Sequence, residues 1–402
     1  MTADHAPQRS DFDDGLQPSS PQWTVGLAHG CASISLPTRA TFVGGLRTAW
    51  GAPDGVWADT HAIDLAAQLV EILRDREPDA FEGHGRCHFA TATPLGELSM
   101  NAGQVLCTGS GLEAWTGRTF DGERRGGQLA LHDAVELPGV RLVVGVDVET
   151  RMPFGSGTEL GIGAPLGSTA RQRHEWPARR QLSERFASAN GIDRRAVDEW
   201  AYDARAAGRQ TTARRAELTV LDRKQGDGPS WSRTPSLSQM SAAPALLSAD
   251  GLLTSKNVAR GADGAAALLL SNRQLSHLPS ARVVACSESA GPVATSFERM
   301  LDLIEVTAAA AELLVGDIQL WEVDDADPVL PLSLVRHFGL LAECVNPWGG
   351  ALSSGLCGGV EPLRRTLRLI ARAVEQKRPT LGLECTIGAT GSVGVTILQV
   401  GL

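Results

Sequence analysis

The chain has no run of about 18 consecutive apolar residues, so no segment reads as a membrane-spanning helix. Its opening residues 1–22 carry Asp, Pro and Ser and no apolar core, which excludes a secretory leader and reads as a disordered tail. It lacks CxxC spacing. The seven cysteines (Cys31, Cys87, Cys107, Cys286, Cys344, Cys357 and Cys385) are odd in number, which argues against a disulfide framework or a zinc knuckle and for reduced thiols in the cytoplasm. There is no excess of basic charge. With 37 Lys and Arg against 46 Asp and Glu, the net charge is -9, and no nucleic-acid footprint is visible. Glycine-rich residues 103–111 and 155–167 fit neither a phosphate-binding loop nor a dinucleotide fingerprint, and no short-period repeat is present.

What is present is a chain of 402 residues, 43% hydrophobic, long enough for a large core and two domains. Residues 60–76 have the helical period, with Ile63, Ala66, Leu69, Val70 and Leu73 on one face. Residues 23–36 supply a first strand. Residues 140–148 (VRLVVGVDV), 264–271 (GAAALLLS) and 281–286 (ARVVAC) read as buried strands, and 382–387 and 393–400 as the last two. A long helix covers 296–314. Residues 152 to about 250, rich in Arg, Ser, Gly and Pro with helical pieces at 179–190 and 194–208, differ from what flanks them and read as an insertion. This alternation of strands and helices indicates an α/β fold.

Seven short segments, in order, resemble the thiolases, enzymes that make or break a carbon–carbon bond between acyl-CoA units. Residues 47–51 (RTAWG) resemble "RTPxG" and 143–152 (VVGVDVETRM) resemble "VVAGGxESMS". Residues 189–205 (ANGIDRRAVDEWAYDAR) are similar to "KYGISREEQDEFALRSH", and 250–269 (DGLLTSKNVARGADGAAALL) to "DGTVTAGNASGINDGAAAL". Residues 317–326 (DIQLWEVDDA) are similar to "DIDLWEINEA", 345–356 to "VNPxGGAIALGHPxG" and 385–391 (CTIGATG) to "CIGGGxG". The resemblance implies a thiolase-like duplicated five-layered α/β/α/β/α core with an inserted loop domain. It divides the chain into the tail 1–22, a first half 23–151 plus 250–278, the insertion 152–249 and a second half 279–402.

Family chemistry needs a thiolate at a helix N-terminus, a histidine base, a second cysteine to move a proton, and oxyanion donors. Residues 114–121 (AWTGRTFD) resemble "AWTVNRQC", which puts Asp121 in the nucleophile's place. A rival alignment of residues 105–114 (VLCTGSGLEA) makes Cys107 the nucleophile; otherwise Cys107 is an ordinary buried thiol. Leu356 stands for the histidine, and an alkyl group neither accepts nor delivers a proton. Asp324 stands for the amide of "NEAF", where a carboxylate repels a developing oxyanion. Ala259 replaces a serine and Lys256 a glycine of "GNASG", where the long side chain crowds a CoA tail. Cys385 alone survives as the second cysteine, equally readable as packing. Gly388 and Gly391 offer backbone N–H groups to a pocket, or merely serve a turn.

Glu82, His84, Cys87 and His88 form an H-x-x-C-H grouping that reads as a surface loop rather than a metal site. The arginines of residues 171–185 read as a solvated face, or, by the resemblance, as contacts for CoA phosphates. Three readings of function stand. One is a non-catalytic, acyl-CoA-associated subunit. Another is a divergent acyl-CoA C-acyltransferase rebuilt around Cys107 or Cys385, or with Asp121 as a base. The third is an acyl-CoA sensor. No cofactor is implied beyond coenzyme A as part of an acyl ligand, and no metal. The resemblance implies a homodimer, or a heteromer with an active thiolase-type or other acyl-CoA enzyme.

Overall fold

A computed structural model describes residues 22–401 apart from 38–39, 155–160, 162–164, 212–218, 222–233 and 273–280. Of the tail expected over 1–22, all but Gln22 lies outside the described residues, and so does most of the glycine-rich 155–167 stretch. Gln22 opens a hairpin, β1 (Gln22–Leu27) and β2 (Gly30–Ser35), where one strand is expected. The turn at 28–29 divides the apolar stretch into two short strands.

The remaining strands fall into two similar sets. The first set is β3 (Thr41–Thr48), β4 (Arg86–Thr91), β5 (Thr116–Asp121), β6 (Arg141–Val148) and, after the short β7 (Thr219–Leu221), β8 (Asp263–Ser271). They lie in the order β5-β4-β6-β8-β3, with β4 parallel to β5 and β6, and β8 antiparallel to β6 and β3. The second set is β9 (Ala281–Ala290), β10 (Leu320–Val323), β11 (Thr380–Ile387) and β12 (Val393–Val400), ordered β10-β11-β12-β9 with the same directions. Val345 bridges in parallel to Trp321, the place that β5 holds beside β4 in the first set. The topology is therefore duplicated. β3 and β9 join the sets antiparallel, and β2 adds to β9.

Three apolar cores hold five layers together, the middle one packing on both faces of the central helices. α1 (Ala62–Arg76) and α2 (Ala102–Gly109) cover the outer face of the first set. α3 (Gly126–Val135) lies in the middle layer. The inserted region holds α4 (Ser168–Arg173), α5 (Arg179–Ala189), α6 (Arg194–Thr211) and α7 (Leu237–Ser241). α8 (Ser296–Ala310) and α9 (Val329–Phe338) cover the outer face of the second set. After the short α10 (Gly350–Ser354), α11 (Glu361–Gln376) joins α3 in the middle layer. Among the described residues no helix is long and apolar enough to cross a membrane.

Strand alternation explains the sandwich. On β8, Ala265, Ala267 and Leu269 face the α1 core while Ala266, Leu268 and Leu270 face the middle layer. Both faces are buried, which is why the run is continuously apolar. Each fully buried leucine or valine contributes about 1.5–3 kcal/mol. The middle layer is not wholly apolar. α11 sends Leu363, Leu367 and Ala373 into the core but also buries Arg364, Arg365 and Arg368. Buried guanidiniums need partners. Arg364 pairs with Glu361 and donates to Ser354 Oγ at 2.8 Å, Arg365 lies 3.0 Å from Glu384, and Arg368 lies 3.6 Å from Glu322.

Candidate functional site

Beyond β5 the chain turns through Gly122 into a 3-10 turn, Glu123–Arg125, that leads into α3. Glu123 takes a left-handed φ of 52°, a strained choice for a residue with a Cβ. Its carboxylate accepts the Ala389 N–H at 2.6 Å. Burial pushes Glu123 up, against the pull of that N–H. A Cβ added to Gly359 would lie 2.6 Å from the Glu123 carbonyl oxygen, so the 358–360 turn also closes on the elbow. Next to it, Ala259 N–H donates to Ala326 O (2.9 Å), Leu356 N–H to Arg260 O (2.7 Å) and Ala262 N–H to Leu356 O (3.0 Å). These bonds bring Ala259, Ala326 and half-buried Leu356 together from three distant segments.

Several expected site residues are elsewhere. Asp121 is the exposed last residue of β5, and its Oδ1 accepts only the Glu123 N–H at 3.4 Å. The turn before α3 follows it directly, so Asp121, Glu123 and Arg124 all lie at the strand-to-helix elbow. Cys107 is fully buried in the α1–α2 core, with Cys87 as its thiol partner. Cys385 faces the α8 core with Leu383 and Ile387, because alternate residues of β11 point that way. Burial pushes its thiol well up. The Gly388 N–H donates to Ser392 O (2.8 Å) and the Gly391 N–H to Gly388 O (3.2 Å), so both serve the turn rather than a pocket. Gly391 has φ 83°, and a Cβ there would meet Val293 at 2.7 Å. Lys256 is half-buried, with its N–H donating to Thr254 Oγ1 and its carbonyl accepting from Arg205.

The Arg86–Thr91 stretch is a strand with Cys87 and His88 buried, not the surface loop expected, because those side chains turn inward from β4. His88 Nδ1 lies 3.0 Å from Asp133 Oδ2. Among the described residues no group of three or more His, Cys, Asp or Glu is arranged to hold a metal ion. The 171–185 stretch is exposed at Arg171, Arg173, Arg180 and Arg185, but Arg179 is buried, contrary to a wholly solvated face. Its partners explain this: Asp324 Oδ2 at 3.6 Å, Asp327 Oδ2 at 3.9 Å and the Phe297 ring beneath its Cζ at 4.6 Å. Desolvation works against the Asp324 charge, but Arg179, Arg365 and Arg124 outweigh it and hold the carboxyl below its usual range.

Two more buried acids position the loops. Asp325 accepts the Ala351 and Leu352 N–H groups at the start of α10, and burial pushes it up to about 6. Asp147 accepts from Thr91 Oγ1 (2.6 Å), Ala92 N–H (3.0 Å) and Gly359 N–H (2.7 Å), and burial pushes it to about 7. Cys357 is also fully buried, and its Sγ donates toward the carbonyls of Gly264 and Asp147 at 3.4 and 3.5 Å. A cavity of about 310 Å³ lined by Trp176, Pro292, Val293 and Thr390 adjoins this region, and another of about 350 Å³ lies between Trp200 and Pro347. Glu123, Arg124 and Asp147 are site residues to which the sequence reading assigns no role, and Arg179 falls within the arginine stretch 171–185. The charged run 122–127 (GERRGG) held the signal for the first two. The charged groups gathered near the start of α3 are carboxylates and guanidiniums.

No protein-family model matches the chain. A 3-ketoacyl-CoA thiolase of Erwinia tasmaniensis is 25% identical over 380 residues, 83% of this chain and 93% of that protein. An acetyl-CoA acetyltransferase of Synechocystis sp. is 30% identical over 146 residues, and the match spans only 37% of its length. A peroxisomal 3-ketoacyl-CoA thiolase A of Mus musculus is 25% identical over 273 residues, 63% of this chain and 64% of that one. The solved structure of an acetyl-CoA acetyltransferase from Syntrophomonas wolfei superposes with a TM-score of 0.76 at 17% identity, covering 90% of this chain and 98% of the other. The fold is that of a thiolase, and over most of its length the chain is similar, at low identity, to thiolases.

Proposed function

We propose that this thiolase-like protein is a non-catalytic, acyl-CoA-associated subunit of the cytoplasm, working as a homodimer or beside an active acyl-CoA enzyme. The observation that carries the reading is the elbow at the start of α3. Glu123 and Arg124 stand there instead of a thiolate, with Leu356 and an ionised Asp324 nearby. Leu356 cannot move a proton. A carboxylate held ionised by three guanidiniums opposes an oxyanion instead of stabilising it. Single losses of a nucleophile, base or oxyanion donor each cost ~10²–10⁶-fold in well-studied hydrolases. The competing reading, an acyltransferase rebuilt on Cys107 or Cys385, has both thiols in the outer cores. The experiment is thiolysis of acetoacetyl-CoA and a longer 3-ketoacyl-CoA by the wild-type protein and by Cys107→Ala and Cys385→Ala. The reading predicts no turnover from any of the three folded proteins. Turnover abolished by either cysteine change would overturn it.

A further inference from the structure

We infer that Arg124 and Arg179 form a receiving site for the carboxylate of a small ligand, an inference that rests on the non-catalytic reading of this site. Arg179 is 8% exposed, and its Nε, Nη1 and Nη2 are all closed to solvent without a hydrogen bond. Its nearest carboxylates, at 3.6 and 3.9 Å, lie beyond hydrogen-bond reach. Asp327 is already engaged, Oδ2 accepting from Ser183 Oγ at 2.7 Å and Oδ1 from Val329 N–H at 3.0 Å. Asp324 Oδ1 takes the Ala326 N–H at 3.1 Å and also faces Arg365 at 4.0 Å. Arg124 lies within the fields of Asp324 and Asp327 and of Arg179 and Arg180, and its Nη1 is likewise enclosed and unbonded.

Arg124, Arg179 and Arg365 thus gather around Asp324, Arg365 being paired with Glu384 as well, and each carries an enclosed donor without a hydrogen bond, Arg179 at every one of its side-chain nitrogens. Such donors are costly when left unmade. A planar carboxylate with two oxygens matches the guanidinium fork. Arg179 is also the first residue of α5, whose N-cap, Ala178, supplies no side-chain acceptor, so the positive end of that helix adds to the attraction for an anion. Asp324 and Asp327 stand beside the gap and disfavour a more highly charged anion such as phosphate. The cavity of about 310 Å³ is lined by Trp176, which shortly precedes Arg179 in the chain, and by Val293, which shortly precedes the Phe297 ring that Arg179 covers. The carboxylate has two sources, a free acid or the far end of an acyl chain carried as a thioester.

Titration calorimetry on the full chain tests this with acetate and succinate as free acids, succinyl-CoA against acetyl-CoA, and acetamide and inorganic phosphate as controls. Saturable binding of a free acid, or of succinyl-CoA in preference to acetyl-CoA, supports the site and names the source, provided that Arg124→Gln weakens it roughly tenfold or more. Arg179→Gln should weaken it similarly, and half-buried Arg124 supplies the variant least apt to disturb folding. Binding to no carboxylate, binding unchanged in Arg124→Gln, or tighter binding of phosphate or acetamide would each overturn the proposal. The readout is heat of binding, not turnover, so its failure leaves the non-catalytic reading standing, while thiolysis by the wild type would remove that reading first.

Discussion

Arg365 Nη1 on α11 lies 3.0 Å from Glu384 Oε1 on β11, and both side chains are almost wholly buried. Gln128 Nε2, on the facing middle helix α3, donates to the other Glu384 oxygen at 2.6 Å and itself accepts from Arg125 Nε at 2.8 Å. The two central helices are therefore tied through one buried carboxylate. Removing one partner of such a pair strands the other charge, which costs about 3–5 kcal/mol, whereas replacing both by apolar groups is often neutral. Arg365→Met should lower the urea midpoint by that order, and Arg365→Met with Glu384→Met should recover most of the loss. A single variant as stable as the wild type would show that the pair is not holding the middle layer.

Stability should vary with pH in a way that Asp147 and Asp325 set. Their folded pKa values are raised from 3.8 to about 7 and about 6 by burial. The native state then keeps protons that the unfolded chain has released, so stability falls as pH rises from about 4 to about 7 and levels off above. Asp147→Asn should flatten that fall by an amount on the order of 4 kcal/mol. Denaturation midpoints of the two proteins at a series of pH values check it; parallel profiles would contradict it.

Glu288 acts in the opposite sense. Burial opposes its charge, but His132 Nδ1 at 2.9 Å and Arg125 at 3.5 Å outweigh it and hold Glu288 at about 2. Its stabilisation is present above 4.5 and is lost as pH falls toward about 2. The side chain is 38% exposed, so the effect is small and screened by salt. Glu288→Gln should shrink the acid-side loss more at low salt than at high salt, as followed by thermal melts.

The thiols should report their surroundings directly. Cys31 is exposed and Cys344 half-buried, while Cys87, Cys107, Cys286, Cys357 and Cys385 are buried. Burial pushes Cys286, Cys344, Cys357 and Cys385 above the usual thiol range. A native protein treated with iodoacetamide should label quickly at Cys31, slowly at Cys344 and elsewhere only in denaturant. Cys385→Ser should cost about 1–3 kcal/mol by burying a hydroxyl in an apolar core. Rapid native labelling of Cys385 would place it in an open site and undo its assignment to the core.

The parts of the fold that were legible are those in which local pattern and burial coincide. The apolar runs of β6, β8, β9 and β12 and the periodic face of α1 lie within a few residues of where the sequence puts them. The elbow was not legible, because its run of charges hides where β5 stops and α3 starts, and alignment by motif stopped at Asp121. For Arg179 the sequence offers a solvated face or a CoA-phosphate contact, because its partners Asp324 and Asp327 come from a distant segment that only the fold brings near. The facing of Cys385 was available in principle. Leu383, Cys385 and Ile387 alternate with Glu384 and Thr386, and the apolar set goes to the outer core.

The central claim is that no side chain at this site carries an acyl group. The most direct measurement is the intact mass of the protein after incubation with acetyl-CoA or acetoacetyl-CoA and an acid quench, followed by peptide mapping. The account predicts an unchanged mass. Gain of one acetyl group on Cys385, Cys107 or Cys357 that is discharged by added CoA would contradict it.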